Sequence, residues 1–457
     1  MLKHVFMCRM KERTPAARER AARLIHGLRA IDAVLELEVG LDVGGTSVSH
    51  DLVATLTFAD DAALERYHAD ARHRTVLGEL RALCEAVAIV EHETAATASL
   101  REYLTFDDLS LLPGSNSGTP DDVCLDGPLT RKIVLRLPIV SAGMPAVTGA
   151  AMAIAMGELG GAGVVHRDQP IEQQCEMVNA VARHRPDRAI YPEATLADGE
   201  RLVAAASCDP TDLERARRLE RAGARVLFLD TPNALGRTVI DGVRRIRAEI
   251  AADLVIGSVV DGETARRYID IGIDGIKVGL GAGATCSIRQ TAGVGAPQAT
   301  ALARCYEAVA GSGVPLISDG GIRASGDVVK AFALGAGAVM IGSMLSGCEE
   351  TPAEMIEEGG RAFKRLLGLR LAAFELAGPT GLPKVDAYLA HRTSPRVEGG
   401  EARVPVAGPC HLVLYTLRRS LRAGVHLAGA GSLRELPRSA RFIRASQAGI
   451  GEAGVRG

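Results

Sequence analysis

Two segments of the chain differ in their pattern of hydrophobic and polar positions. The first, up to about residue 97, combines short alternating strands with amphipathic helices in the order β-α-β-β-α-β. Its predicted elements are the strand Leu2–Met7, the helix Pro15–Arg29, the strands Leu35–Gly40 and Leu52–Phe58, the helix Asp60–Ala86 and the strand Ala88–Glu91. This order predicts a small α+β domain.

From Tyr103 onward, continuously apolar strands alternate with helices and glycine turns. The predicted strands are Leu137–Ala142, Gly163–His166, Leu202–Ala206, Val226–Asp230, Leu254–Ser258, Gly275–Gly279, Pro315–Ser318 and Val339–Gly342. Runs without polar alternation are typical of parallel strands that are buried on both faces. Eight such repeats within about 250 residues favour one closed (β/α)8 barrel, and a doubly wound open sheet is the alternative. We therefore predict an α/β protein with domains at residues 1–97 and 98–457.

Composition and charge exclude several classes of protein. Hydrophobic residues make up 47% and charged residues 24%, as in ordinary globular proteins, and the formal net charge of −2 indicates neither a nucleic-acid nor an anionic-membrane partner. No apolar run approaches the ~18 residues that a membrane-spanning helix needs, and charged residues interrupt the start of the chain where a signal peptide would lie. The nine cysteines include no CxxC pair. We expect a soluble, cytoplasmic protein.

Glycine-rich segments follow three of the predicted barrel strands, at the end where barrel enzymes carry their active sites. The sixth strand leads into Gly279-Leu-Gly-Ala-Gly-Ala-Thr-Cys286, which presents Cys286 on a loop. The seventh ends in Ser318-Asp319-Gly320-Gly321 and the eighth in Gly342-Ser343. Glycine loops after these two strands form the recurrent phosphate site of the fold, and Asp319 would accept hydrogen bonds from ribose hydroxyls. Together, the three loops predict a nucleotide site beside a cysteine.

The segment from about residue 103 to 450 resembles the IMP dehydrogenase/GMP reductase family. The matching motifs are, in order, YLTFDDLSLLP, LPIVSAGM, GAGVVHRDQPIEQQ, KVGLGAGATCSIRQTAGVGAPQAT, ISDGGIRASGDVVKAFALGAGAVMIGSML and RVEGGEARVPVAGP. The resemblance implies that Cys286 adds to C2 of a purine, and that the resulting thioimidate chemistry exchanges a hydride with a nicotinamide. It also implies that Glu398 assists proton transfer. The hydroxyl next to the cysteine is that of Ser287, which we predict to be a catalytic group in place of the family's threonine.

The same resemblance implies binding roles for further residues. The nucleotide would contact Ser141, Met144, Asp319 (ribose), Gly321, Gly342 and Ser343 (phosphate), and the cofactor, NADPH or NAD, would contact Asp230 (ribose), Thr231, Ser258, Gly279 and Gly281. The carbonyl groups of Gly281, Gly283 and Cys286 match a monovalent-cation site, which would take K⁺. Family members assemble as tetramers, so the resemblance also implies a homo-oligomer.

The chain departs from the family pattern at positions that matter for catalysis. Ile288 stands where the family usually has threonine, and Ala387 precedes Tyr388 where dehydrogenases carry a flap arginine that activates water. Alanine cannot imitate a guanidinium group. The stretch from Arg183 to Gly199 is too short for the paired CBS domains that dehydrogenases insert. The missing flap arginine and the missing CBS pair favour GMP-reductase-like chemistry, whereas Ile288 favours a protein without turnover. IMP dehydrogenase activity is one alternative, and a diverged enzyme or a non-catalytic purine-nucleotide-binding protein is another.

Residues 1–97 resemble the stress-responsive dimeric α/β-barrel (Dabb) family, which has a ferredoxin-like α+β fold. The motifs are KHVFMCRMK, DLVATLTFAD and YHADARH. Family members usually pair two sheets into a dimeric barrel, so we expect this domain to dimerise or dock rather than to perform chemistry. The polar residues that would line a pocket are His4, Tyr67, His68 and His73. We interpret them as structural or solvent-exposed.

Overall fold

The chain folds into two compact units, Met1–Glu102 and Tyr103–Gly457. The computed structural model describes residues 2–42, 50–93, 102–284, 286–366, 402–446 and 449. Among these residues, no helix is both long enough and apolar enough to cross a membrane. The predicted flap residues Ala387 and Tyr388 and the predicted catalytic residue Glu398 lie outside the described residues.

The first unit is a four-stranded antiparallel sheet that packs helices against one face. The strands are β1 (Leu2–Met10), β2 (Glu36–Leu41), β3 (Leu52–Phe58) and β4 (Cys84–Glu93), and the helices are α1 (Pro15–His26), α2 (Asp61–Ala69) and α3 (Ala71–Leu83). The strand order is β2-β3-β1-β4. Every second residue of β1 is buried, as expected of a sheet that is covered on one face. The predicted α+β fold is confirmed.

The predicted helix Asp60–Ala86 is wrong in two respects. It is interrupted at Asp70, where the backbone is extended and the carboxylate accepts a hydrogen bond of 2.7 Å from the Arg72 amide, which caps α3. Strand β4 also begins at Cys84 rather than at Ala88, because residues 84–86 pair with the end of β1. The long-range pairing overrides the local helical preference of these residues.

The second unit is built around a closed barrel of eight parallel strands. Three short strands come first: β5 (Leu109–Leu112), β6 (Gly127–Pro128) and β7 (Val134–Leu135). The barrel strands are β8 (Ile139–Ser141), β9 (Ala162–Val165), β10 (Ala205–Cys208), β11 (Val226–Asp230), β12 (Asp253–Val259), β13 (Gly275–Val278), β14 (Leu316–Asp319) and β15 (Ala338–Ile341). Because β15 pairs with β8, the sheet closes, which confirms the barrel and excludes the open-sheet alternative.

Helices connect successive barrel strands and cover their outer surface. They are α4 (Ala150–Glu158), α5 (Ile171–Arg183), α6 (Leu213–Arg221), α7 (Arg237–Glu249), α8 (Gly262–Ile271), α9 (Ile288–Thr291), α10 (Gln298–Val309) and α11 (Ser325–Ala333). The chain then forms β16 (Met355–Glu358), β17 (Arg361–Leu366), β18 (Ala402–Pro405), α12 (Cys410–Leu427), α13 (Leu436–Ser439) and β19 (Arg441–Arg444). Strands β16 to β18 make a small antiparallel sheet, and β19 pairs with β5.

The third predicted barrel strand is displaced in the structure. The prediction was Leu202–Ala206, whereas β10 spans Ala205–Cys208. Leu202 instead forms an isolated antiparallel bridge with Leu196 in the segment that precedes the barrel strand. Both stretches are equally apolar and buried, so hydrophobicity alone could not distinguish them.

Alternate side chains from the barrel strands fill the barrel interior. A compact cluster contains Val140, Val164, Phe228, Val255 and Ile317, all with no exposed surface. A second, larger cluster contains strand residues such as Ile139, Leu227 and Ile256 together with the surrounding helices. A filled interior leaves no channel through a barrel of this size, so ligands must bind at its ends.

Candidate active site

A cavity of about 470 Å³ opens at the carboxyl ends of the barrel strands. All eight barrel strands, or the residues that follow them, contribute to its wall. Nine residues predicted from the sequence lie together in that wall: Met144, Asp230, Thr231, Ser258, Gly279, Gly281, Gly283, Cys286 and Asp319. A second cavity, of about 730 Å³, contains none of the residues that were predicted to bind ligands.

Cys286 is exposed and lies on the loop that follows β13. Its amide donates a hydrogen bond of 3.1 Å to the Gly283 carbonyl, which forms a tight turn just before the cysteine. The Ala282 carbonyl accepts a hydrogen bond of 2.8 Å from the Gly321 amide, so this loop is tied to the glycines that follow β14. The sulfur therefore lies on a loop beside the carboxyl end of β14, the seventh strand of the barrel, as the sequence predicts.

Gly279 allows β13 to end close to β14. Its φ of +144° is a conformation that side-chain-bearing residues rarely adopt, and a Cβ there would lie 1.9 Å from the Asp319 carbonyl oxygen. This close approach brings the cysteine loop and Asp319 into the same cavity wall.

Gly279→Ala is expected to destabilise the protein by more than about 3 kcal/mol, because both the backbone conformation and the contact with Asp319 would have to change. The free energy of unfolding in urea measures the effect. Gly326→Ala is the matched control, because Gly326 lies in α11 with open space around its Cβ position. The free energy of unfolding of this variant should be unchanged or slightly higher than that of the wild type. Equal stabilities of the two variants would contradict this account of Gly279.

Lys277 is a buried cation that joins two carboxylates of the cavity. Its Nζ lies 2.6 Å from Asp319 Oδ2 and 3.2 Å from Asp230 Oδ1, and the residue is 5% exposed. Burial alone would lower the pKa of Lys277, but the charges of Asp230 and Asp319 and the hydrogen bond to Asp319 outweigh it and raise that pKa above its ordinary value. The ammonium group therefore stays charged and holds both carboxylates in fixed positions.

Lys277 was missed in the sequence interpretation, although the sequence contains a signal. It is the one charged residue of the buried strand β13, in the otherwise apolar run Gly-Ile-Lys-Val. A charge inside a strand that is covered on both faces needs a partner of opposite sign. Asp230 and Asp319, at the ends of the neighbouring strands β11 and β14, are the partners that the structure provides.

Two arginines of the cavity wall were missed as well. Arg167, which follows β9, donates hydrogen bonds to the Asp230 carbonyl (2.9 Å) and to Asp209 (3.2 Å). Arg215 donates to the Arg167 carbonyl (2.9 Å) and to Gln174 (2.8 Å). The two arginines link the carboxyl ends of β9, β10 and β11. Arg167 lies within the motif GAGVVHRDQPIEQQ, whereas no pattern in the sequence distinguishes Arg215 from the many surface arginines.

One carboxylate oxygen in the wall is left available. Asp230 Oδ1 is buried, lacks hydrogen-bond alignment with Lys277, and accepts no hydrogen bond from any described residue. A buried acceptor without a donor is costly, so this oxygen suits a ligand hydroxyl group. The predicted ribose contact at Asp230 therefore fits the arrangement of the cavity.

The structure does not bring every predicted residue to the cavity wall. Ser141 is fully buried, and its Oγ lies 2.8 Å from Thr148 Oγ1. Gly342 lies next to Met144, because a Cβ built on Gly342 would lie 3.5 Å from the Met144 sulfur. Gly321, Ser343 and Ser287 are also absent from the wall, and the Ser287 carbonyl instead accepts the first hydrogen bonds of α9. Their predicted roles remain predictions.

Ile288 places an apolar side chain next to the cysteine. It is 5% exposed and lines the cavity. The resemblance implies a threonine at this position, and Ile288 gives the cavity wall no hydroxyl group there. The departure from the family pattern at Ile288 therefore lies in the wall of the cavity.

Comparison with known proteins agrees with this geometry. Residues 103–456 match the family profile described as IMP dehydrogenase / GMP reductase domain. The chain is 32% identical to the inosine-5'-monophosphate dehydrogenase of Cryptosporidium parvum, with 79% of this chain and 96% of that protein covered. The corresponding enzyme of Thermoplasma acidophilum is 31% identical, with 78% and 94% covered. The chain belongs to the IMP dehydrogenase/GMP reductase family.

Membership in the IMP dehydrogenase/GMP reductase family makes the chain an NAD(P)-dependent oxidoreductase. The enzyme of Borreliella burgdorferi named inosine-5'-monophosphate dehydrogenase is a further relative, 32% identical with 77% of this chain and 96% of that protein covered. Residues 2–94 match the profile described as Stress responsive A/B Barrel Domain, which confirms the resemblance of the first unit to the Dabb family.

Proposed function

We propose that this member of the IMP dehydrogenase/GMP reductase family catalyses reductive deamination at C2 of a purine nucleotide, with GMP as the model substrate. The observation that carries the proposal is the position of Cys286, exposed in the same cavity wall as Asp230 and Asp319. A nucleophile and two carboxylates suited to ribose hydroxyls fit one nucleotide and one dinucleotide cofactor.

The proposed reaction balances as follows. The Cys286 sulfur forms a bond to C2, a proton goes to the adjacent ring nitrogen, and the protonated 2-amino group leaves as ammonia. The nicotinamide cofactor, when bound, supplies the hydride that C2 accepts. The carbon–sulfur bond then breaks and the ring nitrogen releases its added proton to water, so the thiolate is regenerated and the product is IMP. Asp319 and Asp230, held by Lys277, orient the two riboses.

Reduction is favoured over oxidation because it needs no activated water. The dehydrogenase direction ends in hydrolysis of the cysteine adduct, for which the flap arginine serves in the family. Ala387 stands at that position in this chain. Protonation of a leaving amine and delivery of a hydride do not require an activated water molecule.

IMP dehydrogenase activity is the second candidate. The relatives compared above are all named inosine-5'-monophosphate dehydrogenase, and each is covered over at least 94% of its length. A third possibility is a nucleotide-binding protein without turnover, and the loss of the usual threonine at Ile288 is the sequence feature that favours it.

Nicotinamide absorbance distinguishes these candidates. Purified enzyme is mixed with GMP and NADPH, and separately with IMP and NAD, at equal protein concentration. Loss of reduced cofactor with release of ammonia supports the proposal, whereas formation of reduced cofactor from IMP supports the dehydrogenase. Binding of GMP or IMP without either reaction, measured by thermal stabilisation, supports the non-catalytic alternative.

Substitutions of the two carboxylates should separate the two ligands. Asp319→Asn is expected to weaken nucleotide binding by about tenfold or more, and Asp230→Asn to weaken cofactor binding to a similar extent, because each loses a charge-assisted hydrogen bond worth about 1.5–3 kcal/mol. Dissociation constants and KM values for each ligand provide the measurement. If both substitutions weakened the same ligand alone, the assignment of the two riboses would be wrong.

Several finer predictions complete the proposal. We expect NADPH as the preferred cofactor in the reductive direction, and K⁺ at the carbonyl groups of Gly281, Gly283 and Cys286. The Gly283 carbonyl already accepts a hydrogen bond from the Cys286 amide, which leaves it one lone pair for a cation. A homo-oligomer, a tetramer by resemblance with additional pairing through the first unit, and a cytoplasmic location also remain predictions.

A further inference from the structure

Three side chains of the kinds that bind metal ions converge in the first unit. His4 lies on β1, Glu91 on the neighbouring strand β4, and His68 near the end of α2. His4 and Glu91 are direct cross-strand partners. His4 Nδ1 lies 2.8 Å from Glu91 Oε1, and His68 Nε2 lies 3.6 Å from the same oxygen. We refer to these three residues as the His4 cluster.

The spacing of the donor atoms suits a tetrahedral metal ion. One donor atom from each residue lies within 4.8 Å of the other two. A tetrahedral Zn²⁺ ion with bonds of about 2.0–2.2 Å holds its ligand atoms about 3.3–3.6 Å apart. The observed separation of 2.8 Å is shorter than this range, and the separation of 3.6 Å lies at its upper end. Rotation of the exposed Glu91 and His68 side chains would be enough to adjust them.

We propose that the His4 cluster binds Zn²⁺ through His4 Nδ1, His68 Nε2 and a carboxylate oxygen of Glu91, with water in the fourth position. Two imidazoles and one carboxylate are ligands that Zn²⁺ takes readily. Mg²⁺ prefers oxygen ligands in an octahedral arrangement and does not fit this set. A simple hydrogen bond explains the contact of His4 with Glu91, but it does not explain why a second imidazole points at the same oxygen.

The surroundings prepare His4 as a ligand. Its ring is 5% exposed and packs edge-on against Tyr67, with 5.8 Å between ring centroids. Burial lowers the pKa of His4, and the hydrogen bond and charge of Glu91 only partly oppose this shift. The His73 ring lies 5.4 Å from the His68 ring, so a third imidazole borders the site. His68 and Glu91 are 42% and 41% exposed, which gives the ion a route from solvent.

Zinc binding can be tested on the full chain without reference to its catalytic activity. The protein is stripped with a chelator and titrated with Zn²⁺ against a chromophoric chelator, and Co²⁺ is added in a parallel titration to report tetrahedral coordination by its visible spectrum. One ion per chain is expected, and excess Mg²⁺ should not displace it. Affinity should fall as the pH is lowered, because protonated imidazole cannot bind a metal.

Single substitutions at the exposed positions locate the site without disturbing the core. His68→Asn and Glu91→Gln should each weaken Zn²⁺ binding by at least about 100-fold, since even the partners of metal ligands contribute about 10–100-fold. His26→Asn removes an exposed histidine at the end of α1 and should leave binding unchanged. The proposal is overturned if the wild-type chain binds no Zn²⁺, or if His68→Asn and Glu91→Gln bind it as the wild type does.

Discussion

Cys286→Ser is expected to lower turnover on the order of 10³-fold or more, while the protein still binds nucleotide. A serine hydroxyl is far less acidic than a thiol, so it is a poor nucleophile toward C2. Its alkoxide would also be a poor leaving group when the adduct breaks down. The side chain at position 286 is exposed on a loop, so the exchange of sulfur for oxygen should not disturb the fold.

Two measurements distinguish the loss of the covalent step from a general loss of function. Turnover is followed by nicotinamide absorbance, and nucleotide binding by the ligand-induced rise in melting temperature. Cys124→Ser is the matched control, because Cys124 is also exposed but lines the other cavity. Full turnover in Cys286→Ser would show that no covalent step takes place at this residue, and the proposed mechanism would have to be abandoned.

Lys277→Met is expected to destabilise the protein by about 3 kcal/mol, because it removes the buried cation between Asp230 and Asp319. The two carboxylates would then repel each other with no charge to offset them. This loss of stability is at the lower end of the range for a broken buried ion pair, because both aspartate side chains are 28% exposed and water partly screens their charges. Urea unfolding at pH 7 provides the measurement.

The pH dependence follows from the direction of the pKa shift. The pKa of Lys277 is raised in the folded state, so its contribution to stability is fully present below the pKa of an unfolded lysine, about 10.4, and is lost only as the pH rises through the higher folded value. The difference between wild type and Lys277→Met should therefore be constant between about pH 6 and pH 9.

A compensating variant tests the cause of the instability. Lys277→Met combined with Asp319→Asn removes one of the two repelling charges, so it should recover part of the lost stability without recovering nucleotide binding. If the double variant were as unstable as the sum of the two single variants, carboxylate repulsion would not be the explanation.

The barrel could be predicted from the sequence because each of its strands is a short apolar run between a helix and a glycine turn. The strand Val226–Asp230 was predicted with the bounds that the structure has. The displaced strand β10 shows the limit of this reasoning: residues 202–208 are apolar or small throughout, and only pairing with β9 and β11 selects the residues of the strand. Such pairing is not visible in a single sequence.

The candidate site could be predicted in part for a related reason. Glycine loops and chemically reactive residues at strand ends are local features, and Cys286 and Asp319 were found in this way, whereas the role of Asp230 was implied by the family resemblance. Lys277 depends on partners that are 42 and 47 residues away in the chain, and Arg167 depends on a carbonyl group of another strand. These contacts arise only when the barrel closes, so no spacing rule identifies them.

The pairing of β19 with β5 has a consequence for engineering. Arg444 faces Leu109 and Arg441 faces Leu112, so residues close to the two ends of the catalytic unit are antiparallel neighbours. A short peptide could join the two ends directly, and new termini could then be opened at an exposed loop between a helix and the next barrel strand. Circular permutation of this kind would move the termini of the second unit to that loop, and it would leave every strand of the barrel intact.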